Sequence, residues 1–127
     1  MIVLDTHAWI WWATSSPRLS KRAREAVRRE KELGVCVVSC WEVAMLVEKK
    51  RLAFDRDVLP WVRDALSMPR VELLELAPEA AVEAARLRGF HGDPADRMIA
   101  ATALALDCAV VTKDRRMRAW AELRTVW

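Results

Sequence analysis

Five short apolar runs, separated by longer amphipathic stretches, constrain the fold of this chain more than any other feature. The runs are "IVL" (2–4), "VCVVS" (35–39), "VELLEL" (71–76), "AVVT" (109–112) and "LRTVW" (123–127). β-Branched residues without polar alternation read as strands buried on both faces. The intervening segments carry helix punctuation. Ser20 caps "SKRAREAVRREKEL", which Gly34 stops; Pro78 opens "PEAAVEAARLR", which Gly89 closes; Asp93 and Pro94 open the apolar helix 94–106. Buried strands alternating with helices predict an α/β fold, with a five-stranded parallel sheet, right-handed crossovers and helices on both faces. The 127 residues suit one domain, 1–127.

With 54% hydrophobic and 31% charged residues the chain has a globular rather than a disordered profile. No apolar run approaches the ~18 residues that span a bilayer, and "MIVLDTHAW" has no basic leader, so the expectation is a cytoplasmic protein without membrane contact. Cys36, Cys40 and Cys108 sit among apolar neighbours and match no zinc spacing, which predicts reduced, buried thiols. The net charge of +3 gathers in "KRAREAVRREK" and "KDRRMRAW". Such clusters permit a phosphate-bearing partner, and equally serve as solvated faces.

In parallel α/β sheets, ligands bind beyond the carboxyl ends of the strands. Asp5 lies at the end of the first strand, Glu42 in the first turn of the helix after the second, and Asp114 two residues past "AVVT". The helix before the fourth strand runs antiparallel to it, so Asp93 and Asp96 return to the same rim. Each acid also has an ordinary reading as cap or exposed polar residue. Convergence is what capping leaves unexplained. Clustered carboxylates repel one another, and oxygen ligands without thiolate partners suit a hard cation such as Mg²⁺ or Mn²⁺. An acidic cation cleft beside a basic surface is the equipment of a nuclease.

Four segments in order, "LDTHAWIWW", "SCWEVA", "HGDPADRMIAATAL" and "VVTKD", resemble the PIN-domain ribonucleases, and among them the VapC-like toxins of type II toxin–antitoxin pairs. The resemblance runs the length of the chain. It implies a single PIN-like domain and an endoribonuclease in which Asp5, Glu42, Asp96 and Asp114 hold Mg²⁺ or Mn²⁺ and a metal-activated water hydrolyses RNA. It also implies a cognate antitoxin that blocks the cleft, and a homodimer. Gly92, Ala95 and Leu46 depart from common family residues without touching the four acids. The alternative is a catalytically silent PIN fold that only binds RNA or protein. A receiver-like domain lacks its acid after "VELLEL", and a haloacid-dehalogenase-type site has His7 where its second acid belongs.

Around the acids, Thr6, Ser39 and Thr112 are read either as hydrogen-bond supports or as turn hydroxyls, with Asp93 as the cap beside Asp96. Arg97 is read either as an ion-pair partner or as a contact to substrate phosphate. His7 and His91 are expected to hold loops. Trp9, Trp11 and Trp12 make "AWIWWA" apolar nearly all round, which is read either as extra core or as exposed aromatic surface for a partner.

Overall fold

A computed structural model describes all 127 residues. Five strands form one parallel sheet: β1 (Ile2–Leu4), β2 (Leu33–Cys36), β3 (Val71–Leu74), β4 (Val110–Val111) and β5 (Thr125–Val126), in the order β3-β2-β1-β4-β5. Seven helices connect them: α1 (Thr6–Ala13), α2 (Lys21–Arg29), α3 (Val37–Glu48), α4 (Val58–Leu66), α5 (Pro78–Arg86), α6 (Pro94–Ala105) and α7 (Arg115–Ala119). The α/β class and the five parallel strands are as expected. No helix is long and apolar enough to cross a membrane.

Strand alternation divides the core in two. Ile2, Leu4, Leu33, Val35 and Val111 point to one face, where Ala8, Trp9 and Ile10 of α1, Val27 of α2 and Trp61 of α4 cover them. Val3, Cys36 and Val110 point to the other, beneath Ile99, Ala100 and Ala103 of α6 and Met117 of α7. Helices therefore flank both faces. From β1 the chain moves outward to β2 and β3, then returns to the far side of β1 with β4. The direction of winding reverses between β1 and β4, and the crevice of such a fold opens there.

Several boundaries differ from the sequence reading, and the outer strands are shorter than their apolar runs. The second strand is 33–36 rather than 35–39, because parallel pairing with β1 sets Ile2 opposite Leu33 and Val3 opposite Gly34. Gly34 is thus not the stop of α2, which ends at Arg29. It is buried in the sheet, where an added Cβ would lie 2.6 Å from Leu74 Cδ1. Val37 and Val38 accordingly join α3 despite their branched side chains, and Glu42 falls in the second turn of that helix rather than the first. The third strand stops at Leu74 and forms a sheet edge, with Glu72 and Leu73 exposed.

Candidate active site

The carboxyl ends of β1 and β4 border a cleft of about 430 Å³. Five carboxylates line it: Asp5, Glu42, Asp93, Asp96 and Asp114. Facing them are Arg18, Lys113 and Arg116, with His7 and Trp11 at the margin. The four acids singled out in the sequence all reach this cleft, though not equally closely. Ligand atoms of Glu42, Asp93 and Asp96 lie within 4.8 Å of one another, as do those of His91, Asp96 and Asp114. Asp96 belongs to both groups and is the hub, while Asp5 belongs to neither and forms the floor.

Helix starts place three of these acids. Asp5 follows β1 directly and caps α1, its Oδ1 accepting from the Ala8 N–H at 2.7 Å. Asp93 caps α6 by accepting from the Asp96 N–H at 2.9 Å. Asp114 caps α7, its Oδ1 accepting from the Arg116 and Met117 N–H groups at 2.8 and 3.0 Å. Glu42 is held differently, by a hydrogen bond from the Thr6 hydroxyl to its Oε1. Thr6 Oγ1 lies 3.0 Å from Ser39 Oγ, and both hydroxyls are buried. Thr112 Oγ1 accepts from the Asp114 N–H at 3.0 Å, and its hydroxyl also lowers the Asp5 carboxyl. All three hydroxyls singled out by sequence therefore contact a site acid or its neighbour.

The electrostatics separate the acids. Burial pushes the Asp5 carboxyl up to about 6, against opposing hydrogen bonds from Thr112 and Ala8 and with further raising by Glu42 and Asp114. Burial likewise raises Asp96 to about 6, with Asp93, Glu42 and Asp114 adding to it and a hydrogen bond from His91 opposing it. For Asp114 burial also raises, but hydrogen bonds from Met117 and Arg116 and the Arg116 charge outweigh it, so its carboxyl lies below the usual range. A cleft with two reluctantly ionised carboxyls and one fully ionised neighbour lacks positive charge at its centre. Arg116, 3.1 Å from Asp114 and 4.0 Å from Asp96, supplies part of it from an exposed position. Oxygen donors dominate the set, which fits a hard divalent cation.

Three expectations need correction. The Arg97 guanidinium is committed to backbone: Nε donates to His91 O at 2.8 Å, Nη1 to Ala84 O and Leu87 O at 2.9 and 3.2 Å, and Nη2 to Phe90 O at 2.8 Å. It staples the loop before α6, with four of its five N–H groups committed to backbone carbonyls. Trp9 is fully buried against Trp61, so it presents no surface to a partner. Trp11 and Trp12 are half-buried, and the most exposed tryptophan is Trp41, at 59%, on α3. His7 holds no loop; it is exposed at the cleft margin, its ring 5.6 Å from that of Trp11.

His91 and Arg116 are site residues that sequence reasoning undervalued. The loop that Arg97 pins brings His91 Nε2 to 2.7 Å from Asp96 Oδ2. Arg116 follows a capping aspartate by two residues, which turns its side chain back over that carboxylate. That spacing was the available signal for Arg116.

The profile of the PIN domain matches residues 2–123, and the chain belongs to that family. Within it, Ribonuclease VapC22 of Mycobacterium tuberculosis (strain ATCC 25618 / H37Rv) is 38% identical over 129 residues, covering 99% of this chain and 98% of that protein. Two solved structures share the fold. VapBC2 from Rickettsia felis, bound to a DNA fragment from its promoter, superposes with a TM-score of 0.72 at 18% identity, covering 98% of this chain and 97% of that one. DNA-bound VapBC from Salmonella typhimurium superposes with a TM-score of 0.71 at 21% identity, with the same coverage.

Proposed function

We propose that this protein is a Mg²⁺- or Mn²⁺-dependent endoribonuclease and the toxin of a type II toxin–antitoxin pair. The observation that carries the reading is the gathering of Asp5, Glu42, Asp96 and Asp114, from four separate segments, around one cleft whose centre lacks positive charge. The 38% identity to a VapC ribonuclease along the whole chain supports it.

Asp96, Asp5, Glu42 and Asp114 would hold the cation. When bound, it would supply Lewis acidity toward water and charge neutralisation at a phosphodiester. The chain's own groups do the rest. Thr6 fixes the Glu42 carboxylate so that its second oxygen can orient the attacking water. Asp93 keeps the α6 N-terminus, and with it Asp96, in register. Arg116, Lys113 and Arg18 face the acids across the cleft, where they can bind phosphate oxygens. In-line attack forms a P–O bond to water and breaks the P–O3′ bond, leaving a 5′-phosphate on the product.

The partners follow the same reading. VapBC structures pair such folds with a second protein, so an antitoxin that covers the cleft is proposed here as well. Trp11 lines the cleft and Trp12 a separate hollow with Ser15, Ser16 and Arg24, and these two are the tryptophans of α1 left for contact. A homodimer is proposed too, with Val37 and Trp41 as exposed apolar surface for it. Incubating wild type, Asp5→Asn and Asp96→Asn with cellular RNA across Mg²⁺ and Mn²⁺ concentrations tests the assignment. Discrete metal-dependent cleavage by wild type alone is expected. Equal cleavage by the variants, or none by a folded, antitoxin-free wild type, refutes it.

A further inference from the structure

Beside the acidic cleft lies a second hollow, of about 490 Å³, that contains no acid. Arg22 of α2 and Arg115 and Arg118 of α7 line it, with Thr125 and Trp127 of the final strand segment. All three arginines are exposed, and none takes part in the chain's ion pairs. Three unneutralised guanidinium groups around one concavity repel one another. Nothing within the protein repays their proximity.

The hollow joins the cleft at a definite place. Trp11 lines the cleft and Trp127 lines the hollow, with ring centroids 5.8 Å apart and planes tilted by 54°. Lys113 Nζ sits 5.7 Å from the Trp11 ring centroid, on the cleft side. Helix α7 divides the two spaces: Asp114 and Arg116 face the cleft, whereas Arg115 and Arg118 face the hollow. A cation, two aromatic rings and three more cations thus succeed one another outward from the acids.

We infer that this succession is a track for single-stranded RNA. On one side of the scissile phosphate the strand passes over Trp11 and Trp127, and its next phosphates enter the Arg22–Arg115–Arg118 hollow. Guanidinium forks match phosphate oxygens in pairs, and half-buried indoles offer faces on which unpaired bases stack. Paired bases have no free face, so the track selects single strands. The inference deepens the ribonuclease reading and rests on it. An acidic peptide could use the arginines but has no use for the ring pair between them and the cleft.

Binding is measured in the Asp5→Asn protein, which is expected to leave RNA intact, by fluorescence anisotropy of a labelled random-sequence 20-nucleotide RNA. Replacing Arg22, Arg115 and Arg118 by Ala is expected to weaken binding at least tenfold in ~0.1 M salt. The slope of log K against log salt should fall by about 2, since each single-strand phosphate contact contributes about 0.7. Trp127→Ala is expected to weaken binding by about tenfold with the slope unchanged, while Trp127→Phe retains most affinity. A control triple, Arg51, Arg63 and Arg88 to Ala, removes the same charge elsewhere and should change affinity less than twofold.

Unaltered RNA binding in the Arg22/Arg115/Arg118 triple overturns the track. So does an equal loss in the control, or an equal loss for a labelled polyglutamate peptide. Cleavage by otherwise wild-type protein separates this failure from the larger one. Wild type that cuts RNA as well as its Arg22/Arg115/Arg118 triple refutes only the track, whereas wild type that cuts no RNA refutes the ribonuclease.

Discussion

Replacing Asp5 by Asn should abolish RNA cleavage and, at neutral pH without divalent cations, make the protein more stable. The Asp5 carboxyl is raised from 3.8 to about 6, chiefly by burial. Two units correspond to about 3 kcal/mol, at 1.36 kcal/mol per unit, by which the folded state disfavours the ionised form. The pH dependence has a definite sign. Below pH 4 the group is neutral in both states and contributes nothing. Between pH 4 and 6 the unfolded chain releases its proton first, so folding loses stability as pH rises, and above 6 the loss is complete. Asn keeps the shape and can still accept from the Ala8 N–H, but its NH₂ suits the Thr112 hydroxyl less well. The net gain at pH 8 is then about 2–3 kcal/mol. For a chain of this length that is a rise of roughly 10 °C in Tm. Thermal unfolding in chelator at pH 4 and pH 8 is the assay, with a small difference expected at the lower pH and the full one at the higher. Mg²⁺ or Mn²⁺ at ~100 times its Kd stabilises a folded binder by about 2.7 kcal/mol, nearly the same quantity, so the cation should restore wild type and leave Asp5→Asn little changed. A variant less stable than wild type at pH 8, or a gap independent of pH, would refute the account of Asp5 as a carboxylate waiting for a cation.

Cleavage at sub-saturating metal should decline as pH falls through about 6, where protons compete with the cation for Asp5 and Asp96; a rate that stays flat from pH 8 to 5 contradicts this. His91→Phe keeps the stacking against Phe90, whose ring centroid is 4.6 Å away, but removes the hydrogen bond that lowers Asp96. Its acid limb should therefore move up by about one pH unit in the same rate profile. Arg97→Met strands four carbonyls and should lower stability by about 3 kcal/mol in urea unfolding, with cleavage falling because His91 and Asp93 lie beside that loop. Thr6→Val preserves volume and frees the Glu42 carboxylate, so kcat should drop about 10–100-fold while metal-independent RNA binding, read by anisotropy in chelator, stays within twofold.

How much of this site could be read in advance depends on the range of the interactions that set it. Asp5 and Asp114 were legible because a strand end and a helix start are local, and a polar residue between them reaches the sheet rim in any parallel α/β fold. Glu42 was placed one turn too early because the β2–α3 boundary is not local. It is decided by pairing against β1 and by the room that Gly34 leaves for Leu74, and both override the β-branched pair at Val37 and Val38. Arg97 was misread for the same reason. Its four acceptors come from residues 84–91, whose path back to α6 no pattern around Arg97 announces. The tryptophans fail by geometry: α1 is apolar nearly all round, so its own sequence cannot say that Trp9 turns toward Trp61 while Trp11 turns toward the cleft.

The pair of aspartates at 93 and 96 shows why capping and cation binding are poor alternatives for such residues. A carboxylate has two oxygens, and a cap uses one. Asp93 gives Oδ1 to the Asp96 N–H, which anchors the first turn of α6 and leaves both Asp96 oxygens free of the backbone, one of them facing His91. Asp5 gives Oδ1 to Ala8 and otherwise has only the Thr112 hydroxyl. Asp114 gives Oδ1 to two N–H groups and Oδ2 to Arg116, so it is the acid most fully satisfied without a cation and the one lowered rather than raised. Asp5, buried, and Asp96, half-buried, have fewer backbone donors on their oxygens and are raised. The cap fixes where each carboxylate stands, and its uncommitted oxygens determine what it can hold. By that criterion cation affinity should fall most in the Asp96 variant and least in Asp114→Asn. Titration calorimetry with Mn²⁺ that found Asp114→Asn the most damaged would show that the fully satisfied acid, not the spare oxygens, holds the ion.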